Sequence, residues 1–410
     1  MPFRGAYFKT AVTRISPYGS GSCTWYKIEV NMERRTFVKF LGASGVIVLL
    51  PAPFAGCGDR QLEALRPWDG PSGLPENADV RLKLVSYAIL APNAHNKQPW
   101  IVDLRSDGID LYIDPKRLLP RTDPPARQVT ISQGTFLELL AIAATHYGLQ
   151  ADVTLFPKGI DPLEQIGKNP VAHISLTERK DVREDELFGS ILTRHTNRRV
   201  YTGPLLTDTE TGTLRQSYTG DNYPLHIFTD PAMVSQIAGM MTEAMRIETY
   251  NRSMHGETVD MLRFNEEEVE QRRDGLSFPN LGITGIKLFF AKLFTSRSSA
   301  FDESFLQRTV EAIHDGAFSS RAIGLISSRG ATRTDEIMVG RHFARLFLTV
   351  TRMGLSLHPM SQALEIDSIK AQFVKAINIQ NEEPQMLFRL GRSTPTPHSA
   401  RRALNDVLKA

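Results

Sequence analysis

Between residues 79 and 91 the apolar positions Leu82, Val85, Tyr87, Ile89 and Leu90 fit an amphipathic helix. The pattern then changes to a two-residue period. Strands are predicted over 100–105 and 109–114, joined as a hairpin around Ser106-Asp107-Gly108. A long apolar helix covers about Gln133–His146, and alternating strands follow at Asp152–Phe156 and Ala172–Leu176. A similar layout then recurs, with helices over 184–193 and 207–218 and a strand at Leu225–Phe228. It resumes after a gap with strand Ala322–Ser327, the apolar-periodic helix Thr334–Met353 and strand Gln385–Leu390. The gap, 252–320, is charged and then rich in Gly and Phe, and reads as an insertion. The expected fold is α+β: two related halves, 60–180 and 181–405, with mixed sheets. The repeat is one of architecture, without a clear sequence repeat.

Composition narrows the chemistry. The formal charge of +3 is small for 410 residues, and basic residues are dispersed among acids, which argues against a nucleic-acid surface. The two cysteines are Cys23 and Cys57, so the body beyond them has no thiol nucleophile, disulfide framework or cysteine metal site. The ten histidines are scattered, without H-E-x-x-H or H-x-H, which disfavours a metal hydrolase. No G-x-S-x-G occurs, which disfavours a serine hydrolase.

The N-terminal region carries a separate signal. Glu33-Arg34-Arg35-Thr36-Phe37-Val38-Lys39 fits the twin-arginine export motif, and the apolar stretch Phe40–Leu50 that follows is too short to span a membrane. Residues 32–57 therefore read as a signal peptide, and 1–31 as an upstream extension ahead of a start at Met32. Phe54-Ala55-Gly56-Cys57 resembles a lipobox with Phe54 where Leu is usual. Two outcomes stay open, lipidation of Cys57 or cleavage after Ala55. The expected partner is the twin-arginine machinery, and the expected location is periplasmic or membrane-anchored. Contact with a membrane is expected only through the signal peptide or a lipid on Cys57. That route carries folded proteins, which suits a cofactor inserted before transport.

Residues 91–100 read Ala-Pro-Asn-Ala-His-Asn-Lys-Gln-Pro-Trp. On composition alone this is a helix-to-strand connection: Pro92 and Pro99 end the helix, Asn96 and Gln98 can satisfy loop backbone, and Trp100 anchors it. In order and spacing it resembles the P-S-x-x-N-x-Q-P-W segment of the nitroreductase family of FMN-dependent oxidoreductases. Arg194-His195-Thr196-Asn197-Arg198 by itself is a basic helix end, and it resembles the element that opens a nitroreductase domain. Gly354-Leu355 through Pro359, and Leu387–Gly391 followed by Arg401-Arg402, resemble the family's late turn and closing arginine. Order, length and the R-x-T-N-R-R run are similar to a fused, Acg-type branch.

The resemblance implies one FMN held between the halves. Arg194 and Thr196 would bind its phosphate, with Arg401 or Arg402. His195 would line the ribityl chain, and Arg198 would face the pyrimidine edge. Pro92, Asn93, Ala94 and Asn96 would cap the flavin from the first half, with Asn93 standing where the family has Ser. Backbone N–H groups of Ser361 and Gln362 would approach flavin N5. The implied activity is flavin-mediated transfer from a hydride donor to a small acceptor such as a nitro compound or quinone, in a pseudo-dimeric monomer. The alternative is a non-enzymatic protein of the same fold that sequesters flavin or another small ligand, or has lost ligand binding, with 252–320 as the lid over the site that the resemblance to this branch implies.

Replacing Arg34 and Arg35 with Lys should retain the protein in the cytoplasm, because the export route reads the guanidinium pair. Cell fractionation showing normal export of the double variant would remove the signal assignment.

Overall fold

The computed structural model describes residues 62–409, so the upstream extension, the twin-arginine motif and Cys57 lie outside the described residues. Residues 61–410 form one compact unit. The first helix, α1 (Val80–Ala88), starts where the Asp79 carboxylate accepts the Arg81 N–H, an N-cap that satisfies an orphan donor. Strands β1 (Trp100–Arg105) and β2 (Gly108–Ile113) pair antiparallel with Arg105 opposite Gly108, so Ser106-Asp107 is a two-residue turn. Helix α2 (Arg127–His146) and strands β3 (Leu149–Leu155) and β4 (Ala172–Glu178) complete a four-stranded sheet of order β1-β2-β4-β3.

The second half opens with α3 (Asp208–Gln216) and β5 (Leu225–Phe228). The chain then leaves the sheet through α4 (Pro231–Tyr250), α5 (Arg252–Asp260), β6 (Leu262–Arg263), α6 (Glu266–Arg272), β7 (Leu276–Ser277), α7 (Gly285–Phe294) and α8 (Glu303–Phe318). It returns as β8 (Ala322–Ser328), α9 (Arg333–Arg352), β9 (Ser356–Pro359), α10 (Asp367–Ile377), β10 (Glu383–Gly391) and α11 (Leu404–Val407). Sheet order is β5-β8-β10-β9. Position for position this is the order of the first sheet, with β5, β8, α9, β9 and β10 in the places of β1, β2, α2, β3 and β4. Where the first half turns in two residues, the second inserts 229–321.

The halves join through α2 and α9. Both helices have twenty residues, and Gly134 and Gly340 occupy the eighth position of each. A Cβ on Gly134 would lie 1.9 Å from the Ile337 carbonyl oxygen, and one on Gly340 would lie 2.0 Å from that of Ile131. The contact is reciprocal, as a two-fold relation requires. Ile131 sits in the core of the second half, while Ile337, Ala344 and Leu348 sit in the core of the first. Seventeen residues of α2 are buried, as expected for a helix enclosed on all sides.

Some expectations need correcting. Both main sheets are wholly antiparallel, not mixed. The helix after β2 or β8 leads to a strand that is not its neighbour, so no parallel βαβ pair arises within either sheet. Helix 184–193 is a series of tight turns with one 3-10 turn at Phe188–Ser190. There the Asp185 carboxylate accepts the Leu187 N–H and competes with helical bonding. Helix α2 begins six residues before Gln133. Its polar first turns are buried because Thr130 and Ser132 bond back to the Ala126 and Gln128 carbonyls, and Arg127 donates to the Gln385 carbonyl. Helices α4 and α10 and strand β9 lie outside the elements read from the pattern, although Val234, Ile237, Ala238 and Met241 of α4 keep the helical period.

Gly134→Ala should lower stability by about 2 kcal/mol or more, since the added methyl meets backbone that cannot move aside. Gly239→Ala in α4, where nothing lies within 4 Å of the new Cβ, should instead raise stability by roughly 0.5–1 kcal/mol. Urea unfolding of both variants checks the pair of opposite signs.

Candidate functional site

The loop between α1 and β1 is tied by its own side chains. Asn93 Oδ1 accepts the Gln98 N–H at 2.7 Å, and Asn93 Nδ2 donates to the Ala91 carbonyl at 3.0 Å. His95, Asn96 and Gln98 have φ of 49°, 54° and 52°. Three left-handed residues other than glycine within four positions cost on the order of 1–3 kcal/mol each, and strain of this kind concentrates at functional loops. Surrounding contacts hold it. Trp100 is fully buried beneath the loop. Asn96 Nδ2 donates to the Gly275 and Ala400 carbonyls, both at 2.9 Å, and Asn96 Oδ1 accepts from Arg401. Gln98 Nε2 donates to the Arg273 carbonyl at 2.8 Å, and Gln98 Oε1 accepts the Arg402 N–H at 2.8 Å. The first-half loop is thereby knitted to the insertion and to the C-terminal segment.

Arg194 and Arg401 converge on the end of α1. Arg194 Nη2 donates to the Leu90 carbonyl at 2.8 Å, and Arg401 Nη2 to the same oxygen at 3.1 Å. Carbonyls just past a helix C-terminus carry partial negative charge and hold cations well. Both guanidiniums also lie over the Trp68 ring, at 5.6 and 4.9 Å, and His398 stacks on that ring at 3.9 Å. Arg198 Nη1 donates to the Asn280 carbonyl at 3.3 Å.

These groups surround a narrow, partly open cleft. Pro92, Asn93 and Asn96 line it from the first half; Arg194, His195, Thr196, Arg198 and Arg401 line it from the second. Four expected residues do not line it. Ala94 sits at the loop's rear, its N–H donating to Ser132 Oγ at 3.3 Å. The Arg402 guanidinium is spent on the Gln98, Trp100 and Asp406 carbonyls and lies 3.9 Å from Asp114. Ser361 and Gln362 lie in a 3-10 turn against β10, where Ser361 Oγ accepts the Leu387 N–H at 3.2 Å. Trp68, Leu276, Asn280, Pro397 and Ser399, which the sequence reading did not select, complete the lining. Leu276 and Asn280 belong to the insertion, and Asn280 Nδ2 is anchored on the Pro397 and His398 carbonyls at 3.0 and 3.1 Å. Trp68, one of three tryptophans in the chain, was the one of these with a compositional signal.

The electrostatics are unbalanced. Among the described residues Arg194, Arg198 and Arg401 form no ion pair, although Arg194 and Arg401 are buried and Arg198 is partly so. Burial, reinforced by Arg198, lowers Arg194 to about 9; burial, then Arg389, lowers Arg198 to about 10. Burial, then Arg194, holds Arg401 well below its ordinary value. Burial, then Arg194 and Arg401, lowers His398 to about 4. The Nε atoms of Arg194 and Arg401 are buried without a hydrogen-bond partner. Buried cations without a counter-charge are costly, so the arrangement is suited to an anion. Among the described residues no cluster of His, Cys, Asp and Glu could hold a metal.

No family model matches the chain. It is 25% identical over 340 residues to "Putative NAD(P)H nitroreductase acg" of Mycobacterium tuberculosis, covering 80% of this chain and 95% of that protein. A second M. tuberculosis protein named as an NAD(P)H nitroreductase with the same qualifier is 27% identical over 347 residues, covering 82% and 92%. An uncharacterized M. tuberculosis protein is 25% identical over 350 residues, covering 79% and 91%. Among solved structures, the FMN-dependent nitroreductase NfnB from Mycobacterium smegmatis, in complex with NADPH, aligns with 54% of this chain and 96% of its own, at 13% identity and a TM-score of 0.36.

His398 yields a signed pH prediction. Its folded-state value lies below the ordinary 6.5, so the unfolded chain binds its proton first as pH falls. Its contribution is whole above pH 6.5 and is lost as pH falls toward about 4. His398→Phe, which keeps a ring on Trp68, should flatten the acid limb of stability over that window. An unchanged slope in denaturant titrations at stepped pH would show that His398 is not held neutral.

Proposed function

We propose that the protein is an FMN-dependent oxidoreductase of the nitroreductase type, taking reducing equivalents from a nicotinamide donor and passing them to a small acceptor. The observation that carries this reading is the cationic cleft. Three guanidiniums face it without a carboxylate, and the two that are buried, those of Arg194 and Arg401, hold an unpartnered Nε. A phosphate dianion answers both deficits. The motif at 91–100 and the names of the relatives support the same cofactor.

The residues present fit the group. Arg194 and Arg401 would hold the phosphate at the end of α1, where Leu90 keeps their planes fixed. Thr196 offers a hydroxyl, and Arg198 places a positive charge beyond it toward the insertion. Trp68 keeps water from the back of the two guanidiniums. The bound flavin supplies the redox chemistry. The protein's part is to bind, orient, and stabilise negative charge with Arg198. No carboxylate lines the cleft, so no protein acid or base is assigned. The acceptor fits the class of nitro compounds or quinones, and the chain acts as a single pseudo-dimer exported by the twin-arginine route.

A second reading has one observation in its favour. The insertion lies along the cleft: Asn280 is bonded both to Arg198 and to the 397–398 segment. A cover of that kind suits a protein that sequesters flavin and turns over slowly or not at all.

Titrating FMN and riboflavin into the purified chain tests the proposal. FMN should bind, and Arg194→Ala should weaken it by roughly ten- to a hundredfold, the worth of a charge-assisted hydrogen bond of about 1.5–3 kcal/mol. Riboflavin, which lacks the phosphate, should bind weakly and be insensitive to Arg194→Ala. Equal affinity for both flavins would sink the phosphate assignment, and no binding of either would sink the flavin reading altogether. Anaerobic bleaching of bound FMN by NADPH separates the enzyme from the sequestering protein.

A further inference from the structure

The described surface carries one apolar stripe that the cleft does not explain. On α7 the side chains of Ile286, Phe289, Phe290 and Leu293 follow one another at helical spacing and are 69%, 59%, 41% and 55% exposed. Leu288 and Ala291, on the opposite side of the helix, pack on the insertion's own core of Val259, Phe264 and Phe278. The helix is therefore seated by one face and presents the other outward. Four large apolar groups in a row on water are unfavourable and mark an interaction surface.

The charges around the stripe select its occupant. Residues 275–301 contain Lys287, Lys292 and Arg297 but no Asp or Glu. At 100° per residue Lys287 and Lys292 fall on the two flanks of the stripe, about 110° to either side of its centre. Lys292 is paired with Glu266 of α6 at 2.8 Å, and Arg297 with Asp260 and Glu268 at 3.3 and 3.5 Å; these are exposed pairs worth little, which headgroup phosphates can replace. A short helix with an aromatic apolar face flanked by lysines, whose stems can reach upward while the apolar face sinks, matches a surface of anionic lipid. A second copy of the chain fits poorly. A ten-residue helix is about 15 Å long and some 10 Å wide, a footprint of a few hundred Å² at most. Stable partners bury roughly 800 Å² each, and a two-fold contact would set lysine flank against lysine flank. No helix among the described residues is long and apolar enough to cross a membrane, so the contact is one of lying on the surface.

We infer that α7 is a membrane-docking helix that lays Ile286, Phe289, Phe290 and Leu293 into the interface of an anionic phospholipid bilayer, with Lys287 and Lys292 on the headgroups. The consequence for the cleft is direct. The turn Phe278–Leu281, which supplies Asn280 to the cleft, lies four residues before α7 and shares its core. The cover of the site and the docking helix belong to the same inserted unit, so a docked protein holds that cover against the lipid.

The test uses the full chain with Cys23→Ser and Cys57→Ser, which removes every native thiol. A polarity-sensitive fluorophore is placed on Ile286→Cys and, as a control, on the exposed Lys158→Cys. Vesicles of phosphatidylcholine mixed with phosphatidylglycerol should shift the Ile286→Cys probe to the blue and leave the Lys158→Cys probe unmoved. Pure phosphatidylcholine should do much less. Lys287→Gln with Lys292→Gln should weaken the partition roughly five- to thirtyfold, since each basic residue near an anionic surface contributes on the order of a factor of five and Lys292 first gives up Glu266. The label reads α7 itself, so attachment through residues 40–50 does not mimic the result. The inference is overturned if the α7 probe stays in water at saturating anionic lipid, or if both probes shift alike. A shift that follows protein concentration without lipid overturns it in favour of a second copy.

Discussion

The approach of α2 to α9 at Gly134 and Gly340 is the constraint on which the rest of the molecule depends. Each glycine lets the other helix's carbonyl come where a methyl group would stand, so the two helices bury each other rather than merely touch. That closeness sets the spacing of the two sheets. It also lets Ile131 and Ile337 exchange cores, each completing the other half's interior. Polar contacts follow the same seam: Glu138 of α2 accepts from Arg341 and Arg345 of α9, with Arg345 also paired to Asp185. Neither half has a core of its own that closes without the other. The 62–409 body is one unit for that reason, even though its topology is that of two.

With the halves fixed, the cleft is a consequence of which chain segments cross the seam. The 91–99 loop emerges at the end of α1, and the arginines of 194–198 arrive from the other half. The C-terminal segment crosses back, with the Arg401 N–H bonded to the Ala64 carbonyl and Trp68 Nε1 to that of Ser399. Two separate segments thus bring Arg194 and Arg401 to one carbonyl, that of Leu90, with the Trp68 ring against both guanidiniums. The cost of this convergence is electrostatic. Two buried guanidiniums share an acceptor, and burial, reinforced by their fields, holds His398 neutral beside them. A protein that gained only stability from the region would place a carboxylate there, as it does for Arg402 beside Asp114 or for Arg263 against Asp274. The site differs from those pairs in leaving the charge open.

Much of the fold was legible because its elements alternate cleanly. Strand β5 has the bounds read from sequence, and α9 is shifted by one residue at each end, since Val339, Phe343, Leu346, Phe347 and Val350 keep the helical period. The antiparallel sheets were not legible, because strand order is decided by which edge a helix returns to, and periodicity carries no edge. In the cleft, residues with a chemical signature were easier than those without. Arg194, Arg198 and Asn96 stand out by type; Leu276 and Asn280 lie in an insertion and reach the cleft through tertiary contacts alone. Arg401 and Arg402 are adjacent and alike, yet one faces the cleft and the other ends on Gln98, Trp100 and Asp406 carbonyls. No local rule distinguishes them. Ser361 and Gln362 were selected for backbone groups, which leave no mark on side-chain identity, and they pack instead beside β10.

The insertion is where the duplicated architecture stops being symmetric, and the asymmetry has a physical logic. A hairpin turn is the least constrained place to lengthen a sheet, because its two ends stay a strand-width apart whatever lies between them. The first half keeps Ser106-Asp107 there, while the second spends 229–321. The added segment does not wander. Its Arg263–Asp274 pair and the Gly275 N–H to Asn96 carbonyl bond at 3.2 Å bring it back onto the first-half loop, so it bridges the seam a second time. One side of the insertion therefore ends in the cleft and the other in an apolar stripe on the outside. Whatever binds either face acts on a segment whose interior it shares with the other, through the common packing of Phe278, Leu281 and Leu288. The cleft and the outer stripe are thus joined through one packed unit, separate from the α2–α9 seam that holds the halves together.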